Sequence, residues 1–307
     1  MSGNVAQPKA TSTAATLLGI GAVLLWCSTG VCYRAGAVAI GPMAYLALIA
    51  ATGAATVVLL RIAQRKPLAW LIRLPGRVVV AGCFGIAVYS ILLVEAFGTA
   101  DERDFGQVNL LNYLWPIWVV VLSFRLLPEK TRLAPALAGA ALGFVGIFIA
   151  GGPGSLAHPP SNILPHVMAA AGGFLWALYS VLLRRWEEPP ERSGVPLYFA
   201  ACAALAAAVA AIRGEWAALN WAEGNTAFWV LLGGVGPTGL AYYWWEIAMK
   251  RGNARLVVSL GFAIPIVSSV LIGLSFGQAM NIGLLPGAVL IAVGAYLAWR
   301  ATTERTN

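Results

Sequence analysis

The chain has 307 residues, 60% of them hydrophobic and only 10% charged, with a mean hydropathy of +0.79, where a soluble domain averages roughly 45–50% apolar and about 25% charged. This balance describes an integral membrane protein rather than a soluble enzyme or binding module. The formal net charge of +8 does not indicate a nucleic-acid partner, because the basic residues lie between apolar segments and form no stripe interleaved with aromatics.

Residues 1–12 carry one Lys and no apolar core. They read as a cytoplasmic tail rather than a cleavable signal peptide, with the first helix acting as the targeting element. A spanning helix needs about 20 apolar residues. Ten segments qualify, near 13–34, 42–64, 75–97, 105–127, 135–152, 163–185, 195–213, 226–250, 254–276 and 281–300. The fold class expected is therefore all-α, with ten transmembrane helices and short loops containing Pro, Gly and charged residues.

On the first segment Trp26, Thr29, Gly30 and Tyr33 share one helical face. The third carries Tyr89 near its middle and Glu95 towards its outer end. On the fourth, Asn109, Asn112, Tyr113 and Pro116 fall on one face, with Trp115 at its edge and Trp118 opposite. A proline inside a membrane helix removes a donor and bends the chain, and asparagines at that depth disfavour lipid, so this face is expected to line a protected cavity. The tilt introduced by Pro116 is expected to rotate Trp115 inward.

The sixth segment repeats the theme with Trp176, Tyr179 and Ser180 behind Gly172 and Gly173. The eighth holds a glycine-dense stretch, Gly233 to Gly239 with Pro237 inside it, followed by Tyr242, Trp245, Glu246 and Met249 on one face. Lacking a following Lys-Ser or Lys-Thr, that stretch is no phosphate loop; it reads as close packing and a hinge. The ninth contains Pro265. Gly139 and Gly143 form a small-xxx-small pair suited to helix packing. Cys27, Cys32, Cys83 and Cys202 all lie in apolar segments without metal-ligand spacing and read as plain thiols. His158 and His166 lie in or beside the outer loop and read as solvated.

Counting Lys and Arg in alternate connections places seventeen on one side and only Arg34, Arg103 and Arg213 on the other. By the positive-inside rule both termini are cytoplasmic. An internal repeat runs at a spacing of about 150 residues: Leu25-Trp26 recurs as Leu175-Trp176, Val31 and Arg34 as Val181 and Arg184, Glu95 as Glu246, Pro116 as Pro265, Gly139 as Gly287 and Gly146 as Gly294. Five helices is an odd number, so the second copy enters from the opposite side. The expected organisation is a cytoplasmic tail (1–12), a first five-helix repeat (13–152), an outer linker (153–162), a second inverted repeat (163–300) and a cytoplasmic tail (301–307), with a central cavity between the repeats.

No Ser-His pair lies within the membrane, and no H-E-x-x-H or Walker motif lies in the chain, so the expectation is a transporter, not an enzyme, with no cofactor, no metal and no ATPase subunit. Glu95 and Glu246 are the acidic residues well inside the spans and are candidates for a charge or coupling role. An alternative reading is a cation-selective drug exporter using one of these glutamates; an intramembrane enzyme would need an ionisable cluster that the sequence lacks. The absence of Lys or Arg at mid-depth disfavours phosphorylated substrates.

Ten helices, two inverted five-helix copies and a Leu-Trp opening each copy resemble the drug/metabolite transporter superfamily in its EamA-type repeats. Asn112-Tyr113-Leu114-Trp115-Pro116 preceded by Val108, Phe174-Leu175-Trp176-Ala177 with Tyr179, and Gly239-Leu240-Ala241-Tyr242 with Trp245 resemble the YddG-type aromatic amino-acid exporters. That resemblance implies inner-membrane export of aromatic amino acids and related metabolites. Trp26, Tyr89, Tyr113, Trp115 and Trp176 would be cavity residues. On the helical faces alone Asn109, Asn112, Tyr179, Tyr242 and Trp245 join the substrate-binding set, and Pro116, Pro237 and Pro265 are hinge candidates. An acidic residue often follows the fourth helix of each repeat in the superfamily; Glu129 fits, whereas the second copy has Gln278.

Overall fold

The computed structural model describes residues 12–71, 73–126, 133–150, 160–186, 192–221, 225–276 and 283–303. Among them regular structure is helical throughout. The order is α1 (Thr13–Cys27), α2 (Thr29–Ile40), α3 (Pro42–Ala63), α4 (Gly76–Gly82), a π-helical segment Cys83–Val88, α5 (Tyr89–Thr99), α6 (Glu102–Asn112), α7 (Trp115–Leu126), α8 (Leu133–Ala150), α9 (Leu164–Trp186), α10 (Val195–Ile212), α11 (Thr226–Gly233), a second π segment Gly234–Leu240, α12 (Ala241–Arg251), α13 (Ala254–Gly261), α14 (Ile264–Phe276) and α15 (Leu284–Thr303).

Five runs are long and apolar enough to cross a membrane: Pro42–Ala63, Gly76–Thr99, Glu102–Leu126, Leu164–Leu182 and Val195–Ile212. The α1–α2 pair, bent by 45°, makes a sixth if counted as one span. Shorter apolar helices cover Ala134–Ile147, Ile264–Phe276 and Leu284–Leu297. The protein is a multi-pass, all-helical membrane protein.

Where these helices break is set by local chemistry. Ser28 donates its hydroxyl to Leu25 O at 2.7 Å, a back-bond that competes with the helical ladder and bends it. The first helical stretch therefore continues past the expected end at 34 to Ile40, but in two pieces. Between α6 and α7 the N–H groups of Tyr113 and Leu114 turn to Leu110 O and Leu111 O, at 3.0 and 3.2 Å, three residues back instead of four. Pro116 thus stands as the second residue of α7, where its missing N–H costs little, instead of kinking an unbroken helix. Pro265 occupies the same place in α14, and Pro237 lies inside the second π segment.

The three basic residues on the sparse side have structural partners. Arg34 donates to Phe97 O at 2.6 Å and Ala100 O at 2.7 Å, closing the carbonyl end of α5. Arg213 bridges Glu95 at 2.8 Å and Glu215 at 3.6 Å; its hydrogen bonds to Glu95 raise the pKa of the guanidinium further. Glu215 in turn accepts from the N–H groups of Met43 and Ala44, each at 2.8 Å, at the amino end of α3, where a carboxylate is favourable. Arg103 pairs with Asp104 at 3.3 Å.

Contacts recur with their partners exchanged. Tyr45 on α3 donates to Trp229 O at 3.0 Å, and Tyr198 on α10 donates to Val78 O at 3.2 Å. Each tyrosine lies against a glycine that leaves room for it, Tyr45 on Gly233 and Tyr198 on Gly82. Residues in the second contact stand about 150 positions from their counterparts in the first. At the α8–α15 seam a Cβ on Gly146 would meet Gly287 O, and one on Gly294 would meet Gly139 O, so the two backbones touch directly. Helix pairs follow suit: α1 packs on α12 as α9 packs on α5, and α3 meets the second π segment as α10 meets the first.

His166, at the start of α9, is 8% exposed, contrary to the solvated histidine expected there. All four cysteines are free. Residues 1–11, 153–159 and 304–307 of the expected tails and linker, with His158, Glu129 and Gln278, lie outside the described residues.

Candidate functional site

A cavity of about 40 Å³ is lined by Trp26, Thr29, Tyr33, Tyr89, Leu93, Asn112, Tyr113, Trp115, Trp176, Tyr242 and Ile264. That is room for a few water molecules and less than an aromatic ring occupies. Most of the lining comes from helix irregularities. Trp26 and Thr29 flank the Ser28 bend, Tyr89 follows the first π segment, Asn112, Tyr113 and Trp115 flank the α6–α7 break, Tyr242 follows the second π segment, and Ile264 opens α14. Trp176 comes from the uninterrupted α9. Non-helical turns and π bulges rotate side chains off the regular face and cluster at functional sites.

The wall is a continuous aromatic network. Trp26 and Trp176, the repeat-related pair, meet edge to face at 6.0 Å and 81°. Tyr242 packs at 5.3 Å against both, and Tyr89 lies 5.7 Å from Trp176. Such pairs contribute roughly 0.5–1.5 kcal/mol each beyond area burial. The Trp26 indole donates to Pro237 O at 3.1 Å, and the Tyr33 hydroxyl shares a 2.7 Å hydrogen bond with Thr238; together they tie α1 and α2 to the second π segment. No lining residue is acidic, basic or histidine.

Of the ten expected substrate-binding residues, Trp26, Tyr89, Asn112, Tyr113, Trp115, Trp176 and Tyr242 line this cavity. The other three stand just behind it. Asn109, 1% exposed, donates to Ser268 Oγ at 3.2 Å; Tyr179 packs between Trp176 and Tyr198; Trp245 backs Trp26 at 5.1 Å and Trp115 at 6.4 Å. Trp118, facing away, meets Phe174 on α9. Thr29 and Tyr33 share the helical face that drew attention to Trp26, but Leu93 and Ile264 carry no signal that separates cavity lining from ordinary core. A second, smaller cavity lies beyond Tyr113 and Trp115, bounded by Phe262, Pro265 and α15.

Comparison with known proteins places this geometry. The aromatic amino acid exporter YddG of Ancylobacter novellus is 32% identical over 288 residues, 93% of this chain and 97% of its own length. The chain belongs to the EamA-like transporter family, alongside the YddG proteins. The EamA-like transporter family description matches residues 163–300, the stretch read above as the second repeat. The aromatic amino acid exporter YddG of Salmonella typhimurium is 26% identical over 304 residues, 96% of this chain and all of its own. A solved crystal structure, 30% identical, superposes with a TM-score of 0.72 over 95% of this chain and 99% of its own. An EamA-like protein is a membrane transporter and not an enzyme.

In this EamA-like transporter neither membrane glutamate lines the cavity. Glu95 is held by both Arg213 hydrogen bonds, at 2.8 and 2.9 Å. Glu246 accepts from Lys250 at 2.6 Å and from the Ser193 hydroxyl, while Lys250 also donates to Arg192 O at 2.8 Å. The two carboxylates act as ties between helices at the rims of the bundle.

Proposed function

We propose that this chain exports aromatic and other neutral amino acids or related metabolites across the bacterial inner membrane by alternating access, binding substrate in the aromatic cavity. The observation that carries the reading is the cavity itself: seven aromatic side chains with Thr29, Asn112, Leu93 and Ile264, drawn from both halves of the chain and free of formal charge. Such a wall suits a planar ring by stacking, and its π faces attract an ammonium at about 0.5–2 kcal/mol per contact. It offers no basic clamp for a phosphate. The YddG relatives, named as aromatic amino acid exporters, support the same substrate class.

The proposed architecture is ten spans in two inverted five-helix repeats, 13–152 and 163–300, with both termini in the cytoplasm. The exchanged Tyr45–Trp229 and Tyr198–Val78 contacts and the exchanged glycine contacts of α8 and α15 support a pseudo-two-fold relation. Two halves so related interconvert to open one site to either face. Pro116, Pro237 and Pro265, each at a helix irregularity, are the proposed hinges. No ATPase subunit is implied.

The test is substrate flux in proteoliposomes. Trp115→Ala and Trp176→Ala should each reduce tryptophan flux at least tenfold at normal expression; parent-level flux in both variants contradicts the site.

A further inference from the structure

The aromatic cavity has a polar corner whose hydrogen bonding is incomplete. Thr29 Oγ1, Asn109 Oδ1 and Asn112 Oδ1 are buried without a hydrogen-bond partner, their residues being 9%, 1% and 6% exposed. Buried polar atoms are normally paired, and an orphaned one is costly. Two of the three residues open into the cavity, and the third stands behind them. Thr29 and Asn112 line the same cavity. Asn109 precedes Asn112 by one helical turn on the same face of α6, and its Oδ1 would lie 2.9 Å from a Cβ on Gly30, the residue after Thr29. Glycine at that position lets the carbonyl pack directly against the helix, where a Cβ would collide with it.

What remains unfilled is acceptor capacity. The Asn109 amide nitrogen is committed to Ser268. Carboxylates and phosphates, which bring only acceptors, cannot satisfy two amide carbonyls. An ammonium brings three N–H donors and a positive charge. The charge is favoured by the carbonyl end of α6, which stops at Asn112 and carries the negative pole of that helix. With no lining carboxylate, a zwitterion that carries its own negative charge suits the site.

We propose that Thr29 and Asn112, backed by Asn109, form the subsite for the substrate's α-ammonium group, with the ring seated on the tryptophans. This rests on the amino-acid export reading and assigns one end of the substrate within it. The parent protein in proteoliposomes is challenged with tryptophan flux in competition with tryptamine, which keeps the ammonium and lacks the carboxylate, and with indole-3-propionate, which does the reverse. Tryptamine competes, and indole-3-propionate competes at least tenfold more weakly than unlabelled tryptophan. Thr29→Val, nearly isosteric, and Asn112→Leu each raise the KM for tryptophan about tenfold and leave the weak effect of indole-3-propionate unchanged.

Indole-3-propionate competing as well as tryptophan, or both variants keeping the parent KM, overturns the subsite and leaves export standing. A parent protein that moves no aromatic amino acid overturns the export reading, and the subsite with it. The competition arm needs no variant, so a folding defect in either substitution leaves the question decidable.

Discussion

Glu246→Gln separates the amino-acid exporter from a cation exporter that depends on a membrane carboxylate. The substitution keeps the length of the side chain and one acceptor oxygen while removing the charge that faces Lys250 at 2.6 Å. The two side chains are 16% and 19% exposed and four residues apart on α12. Pairs of this spacing contribute about 0.3–0.5 kcal/mol when exposed, and partial burial with the Ser193 hydroxyl raises the expected loss to on the order of 1 kcal/mol. In a chain of this size that corresponds to a fall in Tm of about 2 °C. Glu95→Gln should cost no more, because Arg213 is 46% exposed and keeps Glu215 at 3.6 Å, and solvent screening discounts such pairs. Since neither carboxylate lines the cavity, tryptophan flux in proteoliposomes should stay within about twofold of the parent for both variants. Abolished flux in either one, with a monodisperse and thermally stable protein, refutes the structural assignment and restores a charge or coupling role.

Tyr45→Phe and Tyr198→Phe each remove a hydroxyl-to-carbonyl hydrogen bond, partly buried in the first case and buried in the second. Thermal unfolding in detergent should give similar losses of about 1 kcal/mol for the two; a loss in one and none in the other contradicts their equivalence. Gly294→Val places a branched side chain against the Gly139 carbonyl, so α8 and α15 must separate, and folded yield should fall severalfold relative to a control Val substitution at the exposed Leu297. Trp26→Phe removes the donor to Pro237 O and should lower Tm by a few degrees, as read by the same melt.

The aromatic and proline landmarks were legible in the sequence because they are costly or unusual at mid-span. Trp26, Trp176 and the Asn112–Pro116 stretch stand out against an apolar background, and seven of the ten residues they suggested meet in one cavity. The irregularities that carry them there were less visible. Ser28 bends its helix through a bond to Leu25 O, which any serine in a membrane helix can make or omit. The first π segment, Cys83-Phe84-Gly85-Ile86-Ala87-Val88, differs from α-helix by one hydrogen-bond step that no residue type demands. Asn109, Tyr179 and Trp245 were placed by regular helical faces, and the local unwinding nearby leaves them one layer back. Leu93 and Ile264 were invisible because an apolar lining residue and a core residue obey the same burial rule. The partners of Glu95 and Glu246 are long-range or rim contacts, and Arg213, read as an exception to the charge rule, is the residue that explains Glu95.

The central claim is that an uncharged aromatic cavity between the two halves moves amino acids. A substrate panel in proteoliposomes, run with and without an imposed pH gradient, tests it most directly. The account predicts saturable flux of tryptophan, phenylalanine and tyrosine that survives collapse of the gradient, because no protonatable carboxylate or histidine lines the cavity. Transport of organic cations alone, lost when the gradient is collapsed and indifferent to amino acids, would contradict it.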